Sequence, residues 1–149
     1  MQFHSITFRN YKVYLGQHTV QCSDFKSDQP LVLIGGETGA GKTSFLEGIK
    51  LCLYGKDNPL MLKGFSYQQF LNDVHNKKAK KKGDGFSIAI EYKTSQMREI
   101  DTYKIERNWK YSKGSYKENL ILSINGDIEE SIDQSDYQDE IDETFPAGV

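Results

Sequence analysis

A glycine-rich segment between an apolar run and a helical pattern constrains the fold of this chain more than any other feature. The apolar run Leu31-Val32-Leu33-Ile34 follows Pro30 without alternation, as expected of a central strand covered on both faces. From Lys42 onward apolar residues recur at helical spacing, and Gly55, with Pro59 beyond it, supplies the stop signals of a helix. The apolar residues of that helix are Phe45, Leu46, Ile49, Cys52 and Leu53. The order of strand, glycine loop and helix predicts an α/β unit.

The loop has the residue types of a phosphate-binding P-loop, or Walker A motif. Its residues are Gly36, Glu37, Thr38, Gly39, Ala40, Gly41, Lys42 and Thr43. A triphosphate needs many donors close together, and glycines let backbone N–H groups approach its oxygens. Lys42 can reach the β- and γ-phosphates as the catalytic cation, and the Thr43 hydroxyl is placed to ligate Mg²⁺. We therefore predict binding of ATP with Mg²⁺, and we assign Ser44 to the same site. The alternative is a glycine-rich turn with a solvated lysine.

Polar and apolar residues alternate before the loop and in the second half of the chain, which predicts an antiparallel sheet. Two strands joined by a short turn are expected over Met1–Phe8 and Tyr14–Cys22. Half-buried strands are expected around residues 86–92 and 103–109, and a third strand over 120–124 meets the turn dipeptide Asn125-Gly126. Together with the strand–loop–helix unit, this predicts a mixed α+β fold.

Two further helices are expected outside the loop unit. One runs from Ser66 to about Lys78, and the lysine run over residues 77–83 is then interpreted as an exposed loop. The other begins with Ser135 and Gln138 at capping-box spacing and ends at Pro146. Its apolar stripe consists of Tyr137, Ile141 and Phe145.

Hydrolysis of ATP requires more than the loop, since P-loop ATPases also need a carboxylate for magnesium and a group that orients water. No run of four apolar residues in the chain ends in Asp-Glu. Glu91 and Asp127 follow half-exposed strands and are interpreted as solvated carboxylates. The sequence therefore predicts half of a catalytic site.

Composition limits the remaining possibilities. The 149 residues, of which 37% are hydrophobic, suffice for one domain over 1–149. A net charge of -2 lacks the basic excess typical of nucleic-acid binders, so any contact with DNA must come from local patches. No signal peptide or membrane span is indicated, which favours a cytoplasmic protein without a membrane partner. Cys22 and Cys52 are interpreted as two reduced thiols.

The chain resembles the amino-terminal lobe of SMC-like ATPases, a group of chromosome-maintenance and double-strand-break repair proteins with long coiled coils. The resemblance depends on the P-loop in the first third of the chain, on the helix ending Leu51-Cys52-Leu53-Tyr54-Gly55, and on the strands that follow. Within this group, residues 33–50 are most similar to the DndD family, the ATPases of bacterial DNA phosphorothioate modification. The ending Glu143-Thr144-Phe145-Pro146-Ala147-Gly148 agrees with that family.

This resemblance implies that a carboxyl-terminal lobe beyond a coiled coil supplies the signature motif, the magnesium carboxylate (Walker B) and the catalytic glutamate. The chain is then expected to be an amino-terminal fragment that is inactive or weakly active as an ATPase alone. The resemblance also implies a head-to-head homodimer around two ATP molecules, action on DNA, and other DNA sulfur-modification proteins as partners.

Site residues outside the loop also follow from the resemblance. Arg9, Asn10 and Tyr11 match the family's segment that approaches the nucleotide, with Arg9 near the phosphates. From the residues alone, this segment is a basic and aromatic turn. Thr38 stands where many relatives carry asparagine, so only its backbone contacts are expected to persist.

Several alternatives stay open. The chain could be the head of another SMC-like DNA repair or anti-phage defence protein, or a small P-loop kinase, for which the only arginines are Arg9, Arg98 and Arg107. A third alternative is an interaction module after Gly83 with nucleotide as a structural ligand. The lysines of residues 77–82 either contact DNA or are solvated, and Trp109 is interpreted as a core residue. The sequence leaves open the DNA substrate, the partners and the origin of the truncation.

Overall fold

A computed structural model describes residues 1–22, 33–58, 64, 66–96 and 99–146, with the backbone only at 95 and 96. Six strands form one antiparallel sheet in the order β2-β1-β3-β4-β5-β6. The strands are β1 Gln2–Tyr11, β2 Tyr14–Gln21, β3 Phe86–Gln96, β4 Glu99–Ser112, β5 Ser115–Ile124 and β6 Asp127–Ile128. The helices are α1 Lys42–Tyr54, α2 Tyr67–Val74, α3 Lys77–Lys81 and α4 Tyr137–Thr144. Short 3₁₀ turns at Gly55–Asp57 and Gln134–Asp136 follow α1 and precede α4.

The turn chemistry of the sheet confirms the sequence-based prediction of its hairpins. Asn125 and Gly126 join β5 to β6 with φ values of 53° and 92°. Both residues of a type I′ turn require positive φ, which asparagine and glycine tolerate better than other residues. Lys113 and Gly114 join β4 to β5 in the same way, with φ values of 50° and 83°.

The two faces of the sheet differ because side chains alternate along each strand. One face, the core face, carries a buried set that packs against α1 and α4. This set includes Ile6, Phe8, Ile88, Ile90, Ile105, Trp109 and Leu122. The opposite face, which we call the polar face, carries a row of directly paired residues across four strands: Arg9, Ser87, Asn108 and Asn119.

Helix α1 lies on the core face and begins and ends at glycines. Gly41, with φ 92°, is its N-cap, and Gly55, with φ 52°, is its C-cap. Gly48 allows the close contact with β1, because a Cβ there would lie 2.4 Å from Cε1 of Phe8. The predicted helix from Lys42 to Gly55 is confirmed.

The region after α1 departs from the sequence-based prediction. Helix α2 ends at Val74, because His75 is extended and forms a β-bridge with Tyr11. The predicted exposed loop at 77–83 is wrong for its first part, since residues 77–81 form α3. The Asn76 side chain caps α3 by accepting hydrogen bonds from the Lys78 and Ala79 amides.

The predicted capping box of α4 is also wrong, although the stripe of Tyr137, Ile141 and Phe145 is buried as predicted. The N-cap is Asp136 and makes no side-chain cap bond. The Gln138 amide instead donates to the Leu53 carbonyl at 2.9 Å, so it is directed towards the end of α1. Ser135 Oγ donates to the Asp136 carboxylate rather than to the helix.

A strand was expected before the loop, and Leu33 and Ile34 are the residues of it that the structure describes. Leu33 and Ile34 belong to no strand and are 89% and 46% exposed. In the described part of the chain no strand pairs with them. Several residues used in the sequence analysis lie outside the described residues: Pro30, Leu31, Val32, Pro59, Arg98, Ala147, Gly148 and Val149.

Candidate nucleotide-binding site

The glycine loop leaves Ile34 and turns into the first residues of α1. Gly39 and Gly41 have φ values of 86° and 92°, a region in which residues with a Cβ are strained. The Ala40 amide donates to the Glu37 carbonyl at 3.1 Å, which closes a turn within the loop. Residues 33–40 are all exposed, so the loop presents its backbone outward.

Gly36 lies beside the Lys42 side chain. A Cβ built on Gly36 would lie 3.4 Å from Cβ of Ala40 and 3.7 Å from Nζ of Lys42, which are ordinary van der Waals contacts. The access role of this glycine stays a prediction.

Lys42 folds back over the loop. Its Nζ donates to the carbonyls of Gly36 and Glu37, the latter at 2.8 Å. The ion pairs of the described residues join Lys12 to Glu47, Lys104 to Glu106, and Arg107 to Glu118, so none neutralises Lys42. A cation that is held by two neutral carbonyls beside the start of a helix is suited to bind an anion.

The start of α1 adds further donors. Gly41 makes no side-chain cap bond, and the first turn contains no acidic residue. The first amides of a helix lack partners within the helix, and they carry the positive end of its dipole. A phosphate group fits such a terminus, because it accepts these hydrogen bonds and complements the charge.

The Thr43 side chain is exposed at the same terminus. A hydroxyl oxygen beside a phosphate site is a ligand that Mg²⁺ accepts, together with phosphate oxygens and water. Among the described residues, no group of three or more His, Cys, Asp or Glu could hold a metal ion. Two carboxylates were considered for magnesium in the sequence analysis. Glu91 accepts a hydrogen bond from the Ser5 hydroxyl at 3.3 Å, and Asp127 lies exposed in β6.

The three residues of the segment Arg9-Asn10-Tyr11 have different surroundings. Tyr11 is fully buried, and its hydroxyl donates to the Ser44 carbonyl at 3.1 Å in the first turn of α1. Burial, with smaller effects of Glu47 and Tyr14, raises the pKa of Tyr11 well above its usual range, so the phenol keeps the proton that it donates.

The bonds of Asn10 and the strand pairing of Arg9 involve other parts of the chain. Asn10 occupies a bulge of β1 with φ 54°, and its amide bridges Gly85 and Gly16 with bonds of 3.0 and 2.9 Å. It therefore shapes the β1–β2 turn. Arg9 is exposed on the polar face and is paired with Gln17 and Ser87.

Sequence reasoning missed the contact between the β1–β2 turn and the loop. The Tyr14 hydroxyl and Cγ2 of Val13 lie 3.3 and 3.6 Å from where a Cβ of Gly41 would be. Lys12 forms an ion pair with Glu47 on α1, which fixes the turn against the helix. Alternation predicted the two strands, but no local signal in the sequence connects residues 12–14 with residue 41.

Two other predictions concern residues away from the loop. Trp109 is buried as predicted, and its indole N–H donates to Glu118 at 2.8 Å. Arg107, one of three arginines considered for a kinase lid, is only 3% exposed and binds the end of α1. Within the part of the chain that the structure describes, none of the helices is long and apolar enough to cross a membrane.

Comparison with known proteins adds two findings. The sequence profile of a family described as AAA domain matches residues 5–147, which is nearly the whole chain. A curated relative, the C subunit of the nuclease SbcCD from Treponema pallidum (strain Nichols), is 41% identical over 51 residues. This match includes 34% of the chain and 5% of the relative, so the chain corresponds to a small part of that protein.

Proposed function

The chain belongs to the AAA domain family, and on that premise we propose that it forms the nucleotide-binding half of an SMC-like, DNA-acting ATPase. The similarity to the SbcCD protein supports the SMC-like, ABC-type class of ATPase. Action on DNA is supported by the nature of that relative, which is part of a nuclease. The proposal concerns the whole protein, of which residues 36–44 are the part that binds the phosphates.

The observation that carries the proposal is the placement of Lys42. Among the described residues its ammonium group is bound by loop carbonyls alone, beside a helix terminus without a side-chain cap. ATP would replace these carbonyl contacts with charge-assisted bonds to phosphate oxygens, which are roughly twice as strong as neutral ones.

Each loop residue then has a definite task. The backbone amides from Gly36 to Ser44 bind and orient the phosphates, and Lys42 compensates their charge as it builds up in transfer. The Thr43 hydroxyl would hold Mg²⁺, which would supply positive charge to the phosphates. Tyr11 positions the first turn of α1 through its bond to Ser44, and the turn at residues 12–14 lies against Gly41.

We further propose that the catalytic complement comes from a carboxyl-terminal lobe of the same protein, in a head-to-head homodimer. The exposed side of the loop supports this proposal. Leu33, Ile34 and Leu46 are large apolar side chains that are 89%, 46% and 60% exposed around the phosphate site. A second lobe would cover them and exclude water from the γ-phosphate.

Within this class of ATPase, we propose that the protein belongs to the DndD family. Its partners would then be other cytoplasmic DNA sulfur-modification proteins. The similarity of residues 33–50 to that family supports this assignment. Disruption of the gene in its host should remove phosphorothioate linkages from digested genomic DNA, as measured by mass spectrometry. Persistence of the linkages would reject the DndD assignment and leave ATP binding untouched.

Equilibrium binding of ATP tests the proposal at the site itself. Replacement Lys42→Ala removes a charged hydrogen-bond donor, which is worth about 1.5–3 kcal/mol, so affinity should fall roughly ten- to hundredfold. Lys50→Ala is the matched control, because Lys50 is an exposed lysine of the same helix. Equal binding by wild type and Lys42→Ala would show that the loop does not hold the phosphates.

A further inference from the structure

We propose that lysines at one end of the molecule form a binding surface for the phosphate backbone of DNA, separate from the ATP site. This basic surface consists of Arg9, Lys77, Lys78, Lys80, Lys81, Lys82, Lys110, Lys113 and Lys117. These nine residues are about half of the chain's 19 lysines and arginines, although its net charge is -2. The inference deepens the proposed function, on which the choice of DNA as the ligand rests.

The lysines of α3 are displayed by an anchored helix rather than by a free loop. Ala79 is fully buried in the middle of α3, and Asn76 caps its start. The Asn76 amide donates to the Asn10 carbonyl at 2.9 Å, and its side chain donates to the Lys12 carbonyl at 2.7 Å. The backbone of the helix is therefore tied to β1 and to the β1–β2 turn. Lys77, Lys78, Lys81 and Lys82 are exposed.

Helix α3 reaches the β4–β5 hairpin through Lys80. Its Nζ lies 4.5 Å from the centre of the Tyr111 ring, and Lys110 precedes this tyrosine in β4. The hairpin adds Lys113 in its turn and Lys117 in β5. Because side chains alternate along a strand, Tyr111 points to the core face, whereas Lys110 and its partner Lys117 point to the polar face. The lysines of α3 and those of the hairpin therefore lie at the same end of the sheet.

Lys110 and Lys117 are direct cross-strand partners. Like charges that face each other in an antiparallel pair are destabilising. Both lysines are exposed and neither forms any of the ion pairs of the described residues. An anion between them would convert a repulsion into two attractions.

The same two lysines line a groove of about 550 Å³ on the polar face. Its wall also includes Arg9 and three uncharged side chains that donate hydrogen bonds, Ser87, Asn108 and Asn119. Glu118 borders the groove, but its carboxylate binds Arg107 and Trp109. Such a mixture of cations, amides and hydroxyls is the usual set of contacts to nucleic-acid phosphates and sugars.

The positions of the exposed large apolar residues bear on whether a membrane is the ligand. Among the described residues, Met1 precedes β1, Val13 lies in the β1–β2 turn to which Asn76 ties α3, and the others lie in β2, residues 33–34, α1, β4 and β6. None lies in α3 itself or in the β4–β5 turn. The one such residue of β4, Ile100, belongs to the opposite end of that strand. A membrane-binding surface combines cations with apolar anchors, whereas a nucleic-acid surface needs the cations alone.

The test measures binding of a fluorescent DNA duplex without nucleotide, across salt from about 50 to about 200 mM. A triple variant replaces Lys78, Lys81 and Lys82 with glutamine. Its slope of log affinity against log salt should be shallower by about 3, since each phosphate contact contributes roughly 0.9. A matched triple, Lys50→Gln, Lys56→Gln, Lys93→Gln, makes the same charge change elsewhere and should keep the wild-type slope.

A second variant tests the hairpin without endangering the fold. Lys110→Gln with Lys117→Gln removes a repulsive pair, so the melting temperature should hold or rise while DNA affinity falls. A wild-type salt slope in the α3 triple, or an equal loss in its matched control, would overturn the proposal. Equally tight binding of polyglutamate and DNA of the same charge would overturn DNA as the specific ligand.

ATP binding by the same proteins separates this inference from the proposed function. Both basic-surface variants should bind ATP like wild type, and Lys42→Ala should bind DNA like wild type. Loss of ATP binding in Lys42→Ala with an unchanged DNA slope in the α3 triple would sustain the phosphate loop and reject the basic surface.

Discussion

Single glycines determine how closely the phosphate loop and its helix approach the sheet. Gly41 adopts φ 92° with the Tyr14 hydroxyl beside it, and Gly48 faces the Phe8 and Tyr11 rings. A Cβ at Gly48 would lie 2.4 Å from Phe8 and 3.0 Å from Tyr11, both of which are fully buried. The left-handed backbone of the glycine loop and the contact between α1 and β1 thus depend on the same residue type for different reasons.

Replacement Gly48→Ala should destabilise the protein. Overpacking of a core costs about 1–3 kcal/mol, which outweighs or cancels the gain of about 1 kcal/mol in helix propensity. The free energy of unfolding in urea measures the effect. Gly35→Ala is the control, because no atom lies within 4 Å of its Cβ position. A stabilised Gly48→Ala protein would show that α1 does not pack as closely as described.

Helix α1 is held at both ends, by the glycine loop at its start and by a buried arginine at its end. Arg107 Nε donates to the Cys52 carbonyl at 2.9 Å, and its Nη1 donates to Glu118 at 3.1 Å. Carbonyls at a helix end lack partners within the helix, and a cation there complements the dipole. Arg107 therefore connects the phosphate-loop helix to β4 and β5.

Replacement Arg107→Met should cost about 1–3 kcal/mol of unfolding free energy, because it leaves the Cys52 carbonyl without this donor and removes one partner of the partly exposed Glu118. Arg107→Lys should recover only part of this loss, since one ammonium cannot reproduce the planar fork of donors. Lys104→Gln breaks a more exposed pair of the same strand and should cost about 0–1 kcal/mol. Equal losses in Arg107→Met and Lys104→Gln would contradict the capping role.

Across the whole molecule, the sequence predicted what depends on local pattern. Alternation identified the hairpins, helical spacing identified α1, and Asn125-Gly126 identified its turn. The sequence did not predict α3, because five lysines suggest solvation, and only Asn76 and the buried Ala79 turn them into an anchored helix. Contacts between residues distant in sequence, such as Tyr14 with Gly41, arise from tertiary packing and leave no local signal.

The buried titratable groups predict loss of stability at high pH. Burial raises the pKa of Cys52 from 9.0 to about 12, and the pKa values of Tyr92 and Tyr116 from 10.0 to about 12. The unfolded chain therefore releases these protons between pH 9 and 12 while the folded chain keeps them, so the unfolding free energy falls as pH rises through this range. Urea titrations should show this fall, and Cys52→Ala should make it shallower. A constant unfolding free energy from about pH 9 to about pH 11 would contradict the burial of these groups.

The central claim is that the loop from Gly36 to Thr43 binds ATP as half of a catalytic site. The most direct measurement compares ATP binding and turnover by the chain alone with those after addition of a carboxyl-terminal lobe from the same protein. We predict stoichiometric, Lys42-dependent binding by the chain alone, and turnover only with the second lobe. Turnover by the chain alone at rates typical of enzymes, about 1 s⁻¹ or faster, or no ATP binding at all, would contradict the claim.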